Sequence, residues 1–311
     1  MCGICGQVSF TTDLSKYESQ FYNMQNKLYS RGPDRHGEFF SQNAVLMHRR
    51  LAVVDIEKGN QPMTYAVDGA VFTLCYNGEL YNTNEIRNTL ESRGYNFFSH
   101  SDTEVVLKAY VEYREKCVDM FNGIFAFAVW EHETRRLFVA RDRMGVKPLF
   151  YSMTKSGFVF ASEIKALLEH SEIEPVIDTR SLAEIMIIGP GRTPGCGVFK
   201  GISEIRPAHY AYYDETGLTI HRYWNVEAHE HSDSFEQTAE KVRYLVTDSI
   251  KRQLVSDVPL CTFLSGGLDS SLISSVTNGE FKKRGEVLHT FSVDYKENEK
   301  YFKKSKFQPN S

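Results

Sequence analysis

The sequence predicts two domains: a mixed α+β domain, then the start of a parallel α/β domain. Three observations carry this expectation. The chain has 311 residues, more than one typical domain. Short strand-like runs dominate the first two thirds, with helical segments between them. Beyond a polar stretch at 227–233, the pattern changes to helix, strand, glycine-rich loop, helix and strand, which is one βαβ unit of a parallel sheet. The expected division is 1–217 and 218–311.

The elements follow in order. Alternation over Gly6–Phe10 predicts a first strand. Tyr17, Phe21, Met24 and Leu28 recur at helical spacing, and the helix should stop at Ser30-Arg31-Gly32-Pro33-Asp34. Strands are expected at Gly37–Phe40, Val45–Val54 and Val71–Tyr76, and helices at Thr83–Ser92 and Thr103–Glu115. A β-rich block follows, over Ile124–Trp130, Arg136–Arg141, Leu149–Ser152 and Phe158–Ala161. Helices at Glu163–Glu169 and Thr179–Ile188 lead into a loop over Gly189–Gly201 that holds five Gly and two Pro. Tyr210–Tyr213 is a strand. A long amphipathic helix at Ser234–Arg252 then opens the second domain, which continues with Val258–Leu264, Leu268–Val276 and Val287–Val293.

Composition narrows the function classes. A hydrophobic content of 41% suits a packed core, and a net charge of −4 gives no reason to propose nucleic-acid or membrane partners. No apolar run reaches membrane-spanning length, and the N-terminus lacks a basic-then-apolar signal pattern. The scattered cysteines, Cys2, Cys5, Cys75, Cys117, Cys196 and Cys261, fit reduced thiols and a cytoplasmic protein. Cys2-x-x-Cys5 has no second pair to make it a zinc or redox site, so Cys5 reads as a small apolar strand residue and no metal ligand is expected.

Met1-Cys2-Gly3-Ile4 places a cysteine directly after the initiator. Removal of Met1 would leave one residue carrying both a thiol and an α-amine, so nucleophile and base share one Cα. Four further segments could surround it. Arg31-Gly32-Pro33-Asp34 reads locally as a helix-ending turn. Arg50, at the rim of an apolar strand, suits bidentate capture of a carboxylate, or is an ordinary strand charge. Asn77-Gly78 could aim an amide and a backbone N–H at a developing oxyanion, or could be a tight turn. Ser101-Asp102-Thr103-Glu104 has the form of a helix capping box, and Asp102 could also hold a substrate ammonium. In the second domain, Ser265-Gly266-Gly267-Leu268-Asp269-Ser270-Ser271 follows a strand and opens a helix. That is a phosphate cradle without the Gly-Lys-Ser/Thr of a Walker loop.

Taken together, these segments resemble the glutamine-hydrolysing asparagine synthetases. The signatures include His48-x-Arg50-Leu51-x-Val53-Val54-Asp55, Asn77-Gly78-Glu79 and Ser101-Asp102-x-Glu104. They continue with Arg141-Asp142-x-x-Gly145-x-Lys147-Pro148-Leu149, Ser162-Glu163-x-Lys165-Ala166 and Ser256-Asp257-Val258-Pro259, and their order matches over essentially all 311 residues. The resemblance implies an α/β/β/α glutaminase domain of the N-terminal-nucleophile type, joined to an adenylating domain of the adenine-nucleotide α-hydrolase type. It implies Cys2 as nucleophile and Asn77 and Gly78 as oxyanion hole. Arg50 would bind the α-carboxylate of glutamine, Glu79 and Asp102 would bind its α-amine, and the backbone of Leu51, Ala52, Val53 and Val54 would line the pocket. Leu264, the Ser265–Ser271 loop and Val293 would contact ATP, with Mg²⁺ on its phosphates. The resemblance also implies glutamine, ATP and aspartate as substrates, and a homodimer is compatible with it.

Length departs from the family. Only 47 residues run from Ser265 to Ser311, while a working parallel domain needs several units of roughly 30 residues each. The expectation is a chain cut within its second domain, with glutaminase activity but no asparagine synthesis alone, and with an unpaired strand edge. Amidotransferases that make amino sugars or purine precursors lack the Ser265–Ser271 loop, and β-lactam-forming synthetases lack the nucleophile. A non-catalytic interaction module is the remaining alternative, as is a different acceptor acid.

Overall fold

The computed structural model describes residues 1–189 and 191–293. Among these, contacts divide the chain into a unit spanning Met1–Glu227 and a second beginning at Ala228. Residue 190 of the expected loop and the hydrophilic tail at 294–311 lie outside the described residues.

The first unit opens with β1 (Gly3–Val8), a 3-10 turn at Leu14–Lys16 and α1 (Glu18–Asn26). Next come β2 (Arg35–Phe40), β3 (Ala44–Arg50), β4 (Met63–Val67) and β5 (Ala70–Leu80). Helices α2 (Thr83–Glu91), α3 (Asp102–Tyr113) and α4 (Cys117–Met120) separate these from β6 (Gly123–Glu131), β7 (Arg136–Arg141), β8 (Phe150–Thr154) and β9 (Gly157–Ala161). Then come α5 (Ile164–Leu167), α6 (Thr179–Ile188), β10 (Ile202–Glu204), β11 (His209–Asp214) and β12 (Gly217–Arg222).

The strands form two six-stranded antiparallel sheets, ordered β10-β8-β9-β1-β3-β2 and β12-β11-β7-β6-β5-β4. Successive side chains of a strand face opposite ways, and the central strands of both sheets bury both faces. Ile4, Val8 and Leu46 from the first sheet meet Cys75, Ala126, Ala128 and Val139 from the second, forming a core between the sheets. Cys5, Val45 and Met47 point the other way, onto Phe21 and Met24 of α1 and Leu167 of α5. Leu74, Tyr76 and Phe127 turn onto Ile86, Val106 and Val118 of α2, α3 and α4. The result is four layers, α/β/β/α, as the resemblance implies.

Three differences from the sequence expectation matter. β3 ends at Arg50 rather than Val54, because Asp34 captures the chain there: its amide donates to Arg50 O at 3.1 Å and its carboxylate accepts from Ala52 N at 2.8 Å. Residues 51–54 therefore become a loop beside Cys2. β12 was not expected, yet it is zipped to β11 from His209↔Arg222 to Asp214↔Gly217. The expected division after residue 217 thus falls inside a hairpin, and the contact division comes after Glu227. Finally, Ser101 caps α3 by accepting from Thr103 N, but Glu104 does not reach back to it. Its carboxylate accepts instead from the amides of Phe98 and Ser99, and pairs with the buried Lys108 ammonium at 2.5 Å.

The second unit opens with α7 (Phe235–Arg252), started by a reciprocal capping box between Ser234 and Gln237. β13 (Cys261–Phe263), α8 (Leu268–Lys283) and β14 (His289–Phe291) follow, and β13 and β14 pair in parallel. This is the expected strand–loop–helix–strand unit. Among the described residues, no helix is long and apolar enough to cross a membrane.

Candidate active site

Cys2 stands at the head of β1, the strand flanked by β3 and β9. Two distant segments hold it there. Ser162 brackets Ile4, accepting from its amide at 3.0 Å and donating its own amide to Ile4 O at 2.8 Å. Arg31 Nε donates to Cys2 O at 2.8 Å, while Nη1 pairs with Glu163 at 3.0 Å. The Arg31-Gly32-Pro33-Asp34 and Ser162-Glu163 signatures are thus anchors of the N-terminus. The Cys2 thiol lies 3.4 Å from Leu51 N and 3.7 Å from Leu51 O. Burial pushes its pKa up, against the opposing hydrogen bond with Leu51. The terminal amine, here on Met1, is shifted down, again chiefly by burial.

Cys2 opens onto a cleft of about 580 Å³, solvent included, that Asn77, Gly78, Glu79, Asp102, Arg50, Leu51, Val53 and Val54 also line. Asn77 and Gly78 lie within β5, paired with Ala126 and Phe125 of β6, so they are strand residues and not a turn. Asn77 is 1% exposed, and neither its amide nitrogen nor its amide oxygen has a hydrogen-bond partner among the described residues. Buried amides are normally satisfied, so both ends of this one stand out at the cleft wall. Gly78 permits the close approach here: a Cβ would sit 2.5 Å from the Tyr76 ring and 2.6 Å from Ile124 O.

The other end of the cleft is charged. Asp102 begins α3, and its Oδ2 accepts from the Tyr76 hydroxyl at 2.9 Å and from Leu80 N at 3.1 Å. Burial raises its pKa, and these two donors oppose the shift. Arg50 is 5% exposed and lines the cleft. Its terminal nitrogens donate to Val54 O, Asp55 O and Ile56 O at 3.0, 2.6 and 2.9 Å, and to Asn60 Oδ1 at 3.2 Å. It therefore shapes the loop after β3 as well as setting positive charge in the wall. The Ala52 amide, between Leu51 and Val53, turns to the Asp34 carboxylate.

Several wall residues had no role in the sequence reading. Gln61 accepts from Tyr76 N at 2.6 Å and donates to Thr103 at 3.2 Å, joining β5 to α3. Tyr76 holds Asp102. Lys147 is 3% exposed, and its ammonium lies 3.3 Å from the Met1 thioether. Lys147 stood in a quoted signature; Gln61 and Tyr76 carry no local signal, because only the folded sheet brings them to the cleft.

In the second unit, Leu264 N donates to Phe291 O at 2.8 Å, fixing the strand end from which the Ser265–Ser271 loop departs. Ser270 organises the loop: its hydroxyl accepts from Ser265 N at 3.2 Å, lies 3.0 Å from Ser265 Oγ and donates to Gly267 O at 3.2 Å. Gly267 caps α8, so the amides of its first turn face outward over an exposed loop. This fits phosphate binding. Val293 lies exposed just beyond β14. Among the described residues no group of three or more His, Cys, Asp and Glu converges to hold a metal.

Residues 1–224 match the family model described as Glutamine amidotransferase domain, and 241–308 match that described as Asparagine synthase. The chain is 53% identical over its whole length to asparagine synthetase [glutamine-hydrolyzing] 3 of Bacillus subtilis, covering 51% of that protein. It is 31% identical over 94% of its length to asparagine synthetase B of Escherichia coli, covering 49% of it. The chain spans about half the length of the curated relatives it matches. Among solved structures it is similar to the glutamine phosphoribosylpyrophosphate amidotransferase of B. subtilis. That likeness has 15% identity and a TM-score of 0.48, covering 98% of this chain and 69% of that one.

Proposed function

The chain belongs to the glutamine amidotransferase domain family, and on that premise we propose that its first unit hydrolyses the side-chain amide of glutamine at Cys2. The observation that carries this reading is the buried Asn77 amide, without a hydrogen-bond partner among the described residues, in the same cleft as the Cys2 thiol. After removal of Met1, the α-amine of Cys2 takes the thiol proton and the sulfur attacks the amide carbon. Burial that keeps the thiol protonated makes such a base necessary, and burial already lowers the terminal amine of Met1, one residue away. Asn77 Nδ2 and Gly78 N–H receive the oxyanion. The C–N bond breaks, the amine returns its proton, and ammonia leaves a γ-glutamyl thioester. Water then cleaves the thioester to glutamate and free thiol. Asp102 and Glu79 hold the substrate ammonium, and Arg50 supplies positive charge for its carboxylate.

The second unit is proposed to place ATP phosphates on the Ser265–Ser271 loop, with Leu264 and Val293 beside the nucleotide. In a longer protein, ammonia from Cys2 would amidate an adenylated carboxylate, with aspartate as acceptor, in the cytoplasm. Support comes from the order of the signatures and the two family matches. This chain alone is proposed to be a glutaminase.

The test is glutamate release from glutamine by the purified chain and by Cys2→Ala, with intact mass to establish Met1 removal. Release by the parent, reduced at least about 10³-fold in the variant, is expected. A folded, processed chain that releases no glutamate overturns the proposal and leaves the interaction-module reading.

A further inference from the structure

The signature Arg141-Asp142-x-x-Gly145-x-Lys147 takes no part in the chemistry above, yet it forms a closely braced turn beside Cys2. Arg141 donates through Nε to Lys147 O at 2.7 Å, through Nη2 to Gly145 O at 2.8 Å and through Nη1 to Ile205 O at 2.7 Å. The Asp142 carboxylate accepts from the amides of Met144, Val146 and Lys147 at 3.1, 2.9 and 2.9 Å, and from Phe125 N on β6 at 3.2 Å. Gly145 takes φ +67, where a Cβ would sit 2.6 Å from Pro207. The backbone of Lys147 is therefore held from both sides.

This turn delivers an ammonium to the cleft. Lys147 lines it together with Met1, Cys2 and Glu79, and its nitrogen lies 3.3 Å from the Met1 thioether. A thioether is a weak acceptor, and a buried charge costs free energy unless well paired. A turn braced so firmly for so poor a partner indicates that the charge itself is wanted there. Removing Met1 takes the thioether away and leaves the ammonium in the cleft that Cys2 also lines.

We propose that Lys147 is an electrostatic positioning residue, whose fixed ammonium beside the N-terminus keeps the α-amine of processed Cys2 unprotonated near neutral pH. The proposal rests on the glutaminase reading of Cys2. A neighbouring cation disfavours a second positive charge. The terminal amine of Met1, one residue from that of processed Cys2, is lowered first by burial, then by Arg31 and Lys147, and is raised by Cys2 and Glu79. The groups facing Lys147 are Glu79, Cys2, Arg31 and Asp142. Of the two cations, Arg31 is bound to Glu163 and to Cys2 O, so Lys147 is the charge with no carboxylate hydrogen-bonded to it among the described residues.

Two measurements on the full chain test this, each with Lys147→Met and Lys147→Arg. The first is the pH profile of kcat/KM for glutamine. Lys147→Met should move its acidic limb up by about one unit, roughly a tenfold loss below the limb with near-parent rate at high pH. Lys147→Arg should restore the parent limb. The second uses a Cys2→Ala background, in which the pH dependence of N-terminal acetylation, read by mass spectrometry, titrates the amine with no thiol present. It needs no glutaminase activity, so it remains readable if that reading fails. The same upward shift is expected in Lys147→Met. An unmoved amine midpoint in a folded variant overturns the proposal, as does a loss of rate equal at every pH. If Lys147→Met does not fold, Lys147→Gln, which keeps length and polarity, carries both measurements.

Discussion

Arg31 Nε donates to the carbonyl oxygen of Cys2 across 2.8 Å, so the turn that ends α1 holds the residue bearing the nucleophile. The same guanidinium pairs with Glu163, which Lys165 also meets at 2.7 Å. Arg31→Met removes the donor without orphaning Glu163. The stability cost should be that of one charged hydrogen bond, about 1.5–3 kcal/mol. Activity should fall further than stability explains, by roughly 10²-fold in kcat, because a nucleophile displaced by about 1 Å is mis-aimed. Urea midpoints and glutaminase rates on the same preparation check this. Equal losses from Arg31→Met and Glu163→Gln would instead assign the effect to the ion pair.

Asn77 separates catalysis from stability. Its amide is buried and has no hydrogen-bond partner among the described residues. Replacing an unsatisfied polar group costs the fold little, whereas removing an oxyanion donor costs about 10²–10³ in kcat. Asn77→Ala should therefore be as stable as the parent, or slightly more so, while its kcat falls by that factor at nearly unchanged KM. A variant that loses stability in proportion to activity would show Asn77 to be a structural residue.

How much of this was legible beforehand depends on the range of each interaction. The strands and helices were readable because alternation and 3.6-residue spacing are local, and α6 appears over Thr179–Ile188 as expected. Cys2 and the Ser265–Ser271 loop stand out as candidates in the sequence because the chemistry proposed for them is contiguous. Asn77-Gly78 was ambiguous because its dipeptide also suits a turn; only its pairing with Ala126 and Phe125 makes it strand. The end of β3 was misplaced because Asp34, sixteen residues before Arg50, decides it. Glu104 was expected to close a capping box, but Lys108 one helical turn on draws it into a buried pair among Tyr65, Phe97 and Phe98. Anchors that act across the sheet, such as Ser162 on Ile4, leave no trace in local pattern.

His48 supplies a pH signature of the same core. It lies on β3, 1% exposed, with Nε2 3.1 Å from Tyr76 O; that ring nitrogen therefore carries the proton and donates. Burial pushes its pKa from 6.5 down to about 3, with the nearby Arg50 charge adding to the shift and the Tyr76 carbonyl opposing it. The unfolded chain binds a proton on this residue below pH 6.5, and the folded chain does not until about pH 3. The stability that neutral His48 contributes is thus complete above pH 6.5 and is lost as pH falls toward 3. The slope attributable to this residue is at most about 1.4 kcal/mol per pH unit. Urea midpoints between pH 6.5 and 5, above the range where most carboxylates titrate, should fall for the parent. They should fall less steeply for His48→Gln, which cannot charge, even though that variant starts lower at pH 7. Parallel slopes would mean that His48 is protonated in the folded chain, which would require a partner for its other ring nitrogen, where the described residues provide none.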